Sequence, residues 1–186
     1  MILPSHIREV SAKATCLFSK AEVDAALDVM AEKIHDRLAD KNPLFLCVVV
    51  GGIVPMGNLL PRLDFPLEVD YIHATRYQNT TSGKALTWKV LPDTSLKNRT
   101  VVIVDDILDG GITMSEIVKY CESQAAAEVL TAVLVDKDNA RLPEGTPHAD
   151  FFGLRVDNHY VFGYGMDYKG YLRNAPGIYV VAPEHG

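Results

Sequence analysis

Three carboxylates, two glycines and a threonine stand close together in the segment Asp105–Thr113, which reads Asp-Asp-Ile-Leu-Asp-Gly-Gly-Ile-Thr. Glycines allow close approach of the backbone, and the free N–H groups at a helix N-terminus attract phosphate. Carboxylates repel a bare phosphate, but they suit hydroxyl donors or a magnesium ion. A ligand with a phosphate beside vicinal hydroxyls, such as ribose 5-phosphate, satisfies both kinds of group.

A strand and a helix must position this segment. The four β-branched residues Val101–Val104 predict a strand buried on both faces, typical of a parallel sheet, which ends where the carboxylates begin. Beyond the glycines, apolar residues recur at helical spacing and predict a helix that starts near Thr113: Met114, Ile117, Val118 and Cys121. The predicted unit is therefore a strand, a tight loop and a helix.

The segment 101–113 resembles the phosphoribosyl pyrophosphate signature of the type I phosphoribosyltransferases. A buried strand followed by an acidic turn is the simpler alternative, but it leaves the crowding of three aspartates unexplained. The glycine patterns of dinucleotide-binding folds and of P-loop kinases are both missing. The resemblance implies that Asp109 is the general acid or base, and that Asp105 and Asp106 hold the ribose hydroxyls directly or through metal-bound water. It assigns the 5-phosphate to Gly110, Gly111, Ile112 and Thr113.

A second strand-to-glycine turn follows the apolar run Leu44–Val50. Gly51 and Gly52 open this turn, and Pro55 suits the first turn of a following helix. A backbone anion site and a plain tight turn are both consistent with the pattern. The resemblance implies that Val50, Gly51 and Gly52 bind pyrophosphate, often beside a strained peptide bond, although many relatives carry a basic residue where this chain has Val50.

A hairpin is predicted in the middle of the chain. Apolar residues alternate with polar ones near 67–72 and again at 86–90, and the polar stretch 75–84 separates them. In similar enzymes this loop is a flexible flap that closes over the reaction centre and excludes water. Tyr77 matches the family's loop tyrosine, whereas Arg76 stands where a serine is common. A plain surface hairpin is the alternative.

The C-terminal third resembles the purine-binding part of the hypoxanthine-guanine branch of the family. A buried strand, Val129–Val135, ends at Asp136-Lys137, where that branch has a lysine that donates to the purine 6-oxo group. Taken alone, a lysine at a strand end is usually solvated, and the aromatic residues that follow could be ordinary core. The resemblance assigns the purine to Lys137, Tyr160, Val161, Met166 and Asp167. It also places Asp167 on magnesium, together with Asp105 and Asp106, and Arg173 on pyrophosphate.

Length and composition favour one cytoplasmic domain. The chain has 186 residues and a mass of 20.5 kDa, and its formal charge of −6 gives no footprint for nucleic acid. No apolar segment approaches the ~20 residues of a membrane span. We expect a core at about 20–140, a hood at about 1–18 and 141–186, and three buried free thiols: Cys16, Cys47 and Cys121.

The N-terminal part predicts a long amphipathic helix. Ser19-Lys20-Ala21-Glu22 has the form of a capping box, and an apolar stripe runs from Val23 to Leu38, with the helix ending near Asp40. This stripe suits either the core or an interface between subunits.

These elements predict an α/β fold with a mostly parallel central sheet, flanking helices and a small hood over the C-terminal strand ends, where ligands bind in such sheets. The resemblance implies a magnesium-dependent purine salvage enzyme, working as a homodimer or homotetramer. It would transfer 5-phosphoribosyl from phosphoribosyl pyrophosphate to N9 of hypoxanthine or guanine, giving IMP or GMP and pyrophosphate. A xanthine-preferring enzyme and a non-catalytic nucleotide-sensing regulator are the alternatives. An ammonium at Lys137 argues against adenine, because it accepts no hydrogen bond.

Overall fold

The computed structural model describes residues 2–76 and 86–186. Helices and strands alternate along most of the chain. The α-helices are α1 Pro4–Lys13, α2 Lys20–Leu38, α3 Ile53–Leu59 and α4 Ile112–Ser123. The strands are β1 Thr15–Ser19, β2 Leu44–Val48, β3 Glu68–Arg76, β4 Leu86–Val90, β5 Thr100–Leu108, β6 Glu128–Lys137, β7 Phe151–Val156, β8 Val161–Phe162 and β9 Gly177–Val180. Short 3₁₀ turns cover Leu60–Arg62 and Pro183–His185.

The central sheet has six strands in the order β4-β3-β2-β5-β6-β7. β2 is parallel to β3 and β5, β6 is parallel to β5 and β7, and only the edge strand β4 runs antiparallel within the described residues. The sequence prediction of a mostly parallel sheet is confirmed. All five residues of β2 are buried, as expected for a strand covered on both faces.

Helix α2 covers one face of this sheet and packs on β7. The predicted capping box is present, because the Ser19 side chain accepts from the Glu22 amide and Ser19 N donates to the Glu22 carboxylate at 2.8 Å. The helix ends at Leu38, two residues before the predicted end. Its apolar stripe is buried in the core and does not form an exposed interface surface. The buried residues of the stripe are Val23, Leu27, Met30, Ile34 and Leu38.

Helix α4 covers the opposite face. Met114, Ile117 and Cys121 are buried in a cluster with the other side chains of β2 and β5, including Leu46 and Ile103. The 3.6-residue spacing in the sequence therefore identified the correct face. None of the described helices is both long and apolar enough to cross a membrane.

A small second sheet, β1-β9-β8, forms the hood together with α1. Ile7, Val10, Phe162, Tyr168 and Val181 make a separate apolar cluster that joins the two ends of the chain. The hood boundary expected at residue 141 falls too early, since β7 pairs with β6 and belongs to the central sheet.

In β3, Val69 and Tyr71 are about half exposed, and Ile72 on the opposite face is fully buried. Two local expectations are corrected. β5 does not stop at Val104 but continues to Leu108, because its pairing with β6 resumes beyond the aspartates at Ile107 and Leu108. Cys16 is exposed in a hood strand and not buried.

The predicted hairpin is present at its base, where β3 and β4 pair and Arg76 lies opposite Leu86. The predicted flap residue Tyr77 lies outside the described residues.

Candidate active site

A cleft of about 300 Å³ opens where the C-terminal ends of β2, β5 and β6 meet the hood. Most of the residues predicted for the site line it: Gly51, Asp105, Asp106, Asp109, Thr113, Lys137, Tyr160, Val161, Met166, Asp167 and Arg173. A contiguous hollow of about 210 Å³ adds Gly110 and Gly111. Apart from the two flap residues, three of the predicted residues line neither space: Val50 and Gly52 lie in the turn after β2, and Ile112 is buried at the start of α4.

The hollow is closed by the N-terminus of α4. Gly111 precedes the helix with φ of +78°, a backbone conformation that side chains disfavour. The loop is braced from behind, because Leu142 N donates to Gly110 O at 3.1 Å and Thr146 N donates to Gly111 O at 3.0 Å. A Cβ at Gly111 would lie 2.7 Å from Thr146 O, so glycine is required there. The arrangement suits one phosphate.

The turn after β2 lies beside the acidic strand end. The Val49–Val50 peptide bond is cis, and half of Val50 is exposed. A Cβ at Gly51 would overlap the carboxylate of Asp106. From the hood side, Gly165, with φ of +106°, lies so close that its own Cβ would overlap Gly51 O. The turn is thus held between β5 and the hood, with its backbone facing the cleft.

Asp105 and Asp106 form an adjacent acidic pair at the floor of the cleft. Asp106 N donates to Asp105 Oδ1 at 2.8 Å. Burial, and then the charge of Asp106, raise the pKa of Asp105 well above its usual range. Burial also raises the pKa of Asp106, although the Asp105 hydrogen bond and Arg173 counteract it. The ionised pair therefore lacks sufficient positive charge from the protein.

Arg173 connects the hood to this floor. Its Nη2 lies 2.6 Å from Asp167 Oδ1, and its Nη1 lies 3.5 Å from Asp106 Oδ2. Nη1 also donates to Gly165 O at 2.5 Å. One guanidinium thus links two carboxylates and a hood carbonyl, and it presents positive charge to the cleft.

At the other end of the cleft, Lys137 Nζ lies 3.3 Å from Asp109 Oδ2. Tyr160 is 40% exposed, and its ring packs at 5.6 Å from that of the fully buried Tyr168. Its hydroxyl accepts a hydrogen bond from Lys169 N at 3.2 Å, which fixes the ring from behind. The tyrosine presents an aromatic surface on which a planar base can stack.

The acidic residues suit a magnesium ion shared with a ligand. Among the described residues no three acidic, histidine or cysteine side chains group as a complete metal site. Magnesium, however, is usually bound through one or two carboxylates together with water and substrate phosphates. The raised pKa values of Asp105 and Asp106 indicate that a divalent cation would stabilise their ionised forms.

Comparison with known proteins agrees with this geometry. Residues 18–169 match the profile of the family described as the phosphoribosyl transferase domain. The chain belongs to the phosphoribosyltransferase family. Among its phosphoribosyltransferase relatives is the hypoxanthine-guanine-xanthine enzyme of Tritrichomonas foetus, 33% identical over 162 residues, which covers 87% of this chain and 88% of that protein.

Two further relatives extend the match. The hypoxanthine-guanine phosphoribosyltransferase of Bacillus subtilis (strain 168) is 32% identical over 169 residues, covering 90% of this chain and 92% of that one. A hypoxanthine phosphoribosyltransferase structure from Staphylococcus aureus superposes with a TM-score of 0.87 at 23% identity, covering 98% of both chains. The fold predicted for this phosphoribosyltransferase is therefore confirmed.

Sequence reasoning missed several residues of the site. Val48, Val49, Ala74 and Ile107 also line the cleft. Their places at or just beyond the C-terminal ends of strands could have identified them. Arg141, in the loop after β6, contacts the backbone of the site, and no pattern in the sequence marks it.

Proposed function

We propose that this phosphoribosyltransferase transfers 5-phosphoribosyl from phosphoribosyl pyrophosphate to N9 of hypoxanthine or guanine, producing IMP or GMP and pyrophosphate in purine salvage. The observation that carries the proposal is the 3.3 Å pairing of Lys137 and Asp109 beside the phosphate hollow. A 6-oxopurine presents O6 and N7 on one edge. The ammonium donates to O6, and the carboxylate lies on the side of N7.

The ribose end of the donor fits the acidic floor. The glycine loop before α4 holds the 5-phosphate, while Asp105 and Asp106 accept hydrogen bonds from the ribose hydroxyls. The pyrophosphate lies along the turn at Gly51 and Gly52, where it meets Arg173 from the hood. These contacts fix the ribose carbon C1 between the leaving group and the purine stacked on Tyr160.

The transfer breaks the C1–pyrophosphate bond and forms the C1–N9 bond. Negative charge develops on the leaving oxygen, where Arg173 stabilises it. Asp105, Asp106 and Asp167 would hold a magnesium ion, which would supply further positive charge to the leaving group. Asp109 holds or moves the proton at N7 as N9 attacks, because its carboxylate faces that edge.

The Lys137 ammonium decides between purines, since it donates to a 6-oxo group and accepts nothing from a 6-amino group. Lys137 therefore argues for a 6-oxopurine and against adenine as the substrate. Xanthine is the second candidate, because the Tritrichomonas foetus relative is named for hypoxanthine, guanine and xanthine. Preference among the three depends on the base edge that faces the backbone of Val161.

The decisive experiment measures pyrophosphate release from phosphoribosyl pyrophosphate and magnesium with hypoxanthine, guanine, xanthine or adenine. We expect turnover with 6-oxopurines and none with adenine. Omitting magnesium, or using the Asp109→Asn variant, provides the control for background hydrolysis. Nucleotide binding without turnover of any base would favour the regulator and overturn the proposal.

We also propose that the enzyme self-associates as a homodimer or homotetramer. An exposed apolar patch, formed by Ile53, Val69 and Tyr71 beside the pyrophosphate turn, is available for a second copy. Sedimentation of the wild type and of Ile53→Asp tests this proposal. A monomer in the wild type would contradict it.

A further inference from the structure

The side chain of Arg141 contacts the backbone at the C-terminal ends of β5 and β6. Its Nη1 lies within hydrogen-bond distance of three carbonyls: Leu108 O at 2.6 Å, Asp109 O at 2.5 Å and Lys137 O at 3.2 Å. Its Nη2 donates to the buried carboxylate of Asp136, and its Nε donates to Pro147 O at 3.1 Å. One guanidinium therefore joins β5, β6 and the loop that follows β6.

These contacts lie where the sheet no longer holds the two strands together. The last paired residues of β5 and β6 are Leu108 and Asp136. Asp109 and Lys137 each follow this last pair by one residue, so the β5–β6 ladder does not set their separation. Carbonyls at the end of a ladder need other donors. A guanidinium supplies several donors in one rigid plane, which a lysine ammonium does not.

We propose that Arg141 is a positioning residue for phosphoribosyl transfer, which holds the Asp109 carboxylate and the Lys137 ammonium at the spacing of the purine edge. The inference rests on the proposed function, because that edge is the ligand it concerns. Arg141 lines neither the cleft nor the hollow, so it would act through the backbone of Asp109 and Lys137, which both line the cleft.

The phosphate hollow has its own support. Leu142 N and Thr146 N bind the carbonyls of Gly110 and Gly111 through the backbone alone. Loss of the guanidinium therefore leaves these bonds in place while it removes the hydrogen bonds to the carbonyls of Asp109 and Lys137. Lys137 stays paired with Val156 of β7, so the Asp109 end of the pair is the freer to move. The variant should therefore use the purine less efficiently, while its binding of phosphoribosyl pyrophosphate should change little.

The test is a kinetic comparison of Arg141→Lys with the wild type. Lysine keeps a charge opposite Asp136 but cannot span three carbonyls. We expect kcat/KM for hypoxanthine to fall about 10- to 100-fold, while KM for phosphoribosyl pyrophosphate changes less than about threefold. Arg155→Lys, at an exposed position of the adjacent strand β7, is the matched control and should behave as the wild type.

A second variant covers the case in which Arg141→Lys fails to fold. Asp136→Asn combined with Arg141→Gln leaves no buried unpaired charge, yet the glutamine is too short to reach Leu108 and Asp109. We expect the same result for this double variant: a lower kcat/KM for hypoxanthine with little change in KM for phosphoribosyl pyrophosphate. Unchanged kinetics, or an equal loss for both substrates that follows the loss of thermal stability, would overturn the inference. An inactive wild type would instead overturn the proposed function.

Discussion

The Nζ atom of Lys137 and the Oδ2 atom of Asp109 lie 3.3 Å apart at the ends of neighbouring parallel strands, yet their environments differ. The lysine side chain is 9% exposed and the aspartate side chain is 56% exposed. The lysine is thus fixed in the wall of the cleft, while the carboxylate faces its open space. Under the proposed function, a purine edge meets a fixed donor for O6 and an accessible carboxylate for N7.

Asp109→Asn should abolish most of the turnover without unfolding the protein. Asparagine keeps the shape of the side chain but cannot accept and return a proton, so we expect kcat to fall ~10²- to 10⁴-fold. The exposed position of Asp109 should keep the thermal midpoint close to that of the wild type. Steady-state kinetics and calorimetry measure the two effects. Near-normal turnover would remove Asp109 from the proton transfer.

Lys137→Gln should weaken the discrimination between purines. A glutamine amide both donates and accepts, so it serves a 6-oxo group and a 6-amino group alike. Losing a hydrogen bond from a charged donor, worth about 1.5–3 kcal/mol, should lower kcat/KM for hypoxanthine roughly 10- to 150-fold. The ratio of kcat/KM for hypoxanthine to kcat/KM for adenine should fall as well. Lys119→Gln, on the exposed surface of α4, is the control. An unchanged ratio would contradict the role of Lys137.

The sequence was sufficient for the parts of the site that depend on local order. The strand, the aspartates and the glycines of residues 101–113 follow one another in the chain, and their types alone indicate a phosphate beside hydroxyls. The same holds for the pattern that buries α2 and α4.

The missed features depend on contacts between distant segments. Arg141 reaches Leu108, 33 residues earlier, from a loop without periodicity, so no local pattern predicts its role. The extension of β5 to Leu108 follows from its pairing with β6, which overrides the unfavourable strand propensity of aspartate.

The buried acidic pair should make the ligand-free protein less stable as the pH rises. A carboxyl group whose pKa is raised by folding binds its proton more tightly in the folded state than in the unfolded state. Its stabilising contribution to the free energy of unfolding is therefore complete below about pH 4. This contribution is lost as the pH rises through the raised pKa values of Asp105 and Asp106. Between the unfolded and the folded pKa, each of the two carboxyl groups lowers the free energy of unfolding by at most about 1.4 kcal/mol per pH unit.

Asp105→Asn tests this effect, because the amide keeps the hydrogen bond from Asp106 N without a charge. Denaturant unfolding between pH 4 and pH 8, without magnesium or ligand, should show the variant gaining stability over the wild type as the pH rises. Asp157→Asn, which removes one exposed carboxylate elsewhere, corrects for the change in net charge. A constant difference across this range would show that the pair imposes no electrostatic cost.

Gly165 and Gly170 allow the contact between the hood and the pyrophosphate turn to be measured. Both have positive φ, at +106° and +89°, so alanine costs about 1–2 kcal/mol at either position through backbone strain. A Cβ at Gly170 meets open space, whereas a Cβ at Gly165 would overlap Gly51 O. Gly165→Ala should therefore lose a further ~1–3 kcal/mol of unfolding free energy and raise KM for phosphoribosyl pyrophosphate. An equal loss of unfolding free energy in the two variants would show that the hood shifts to make room for the new Cβ without displacing the turn.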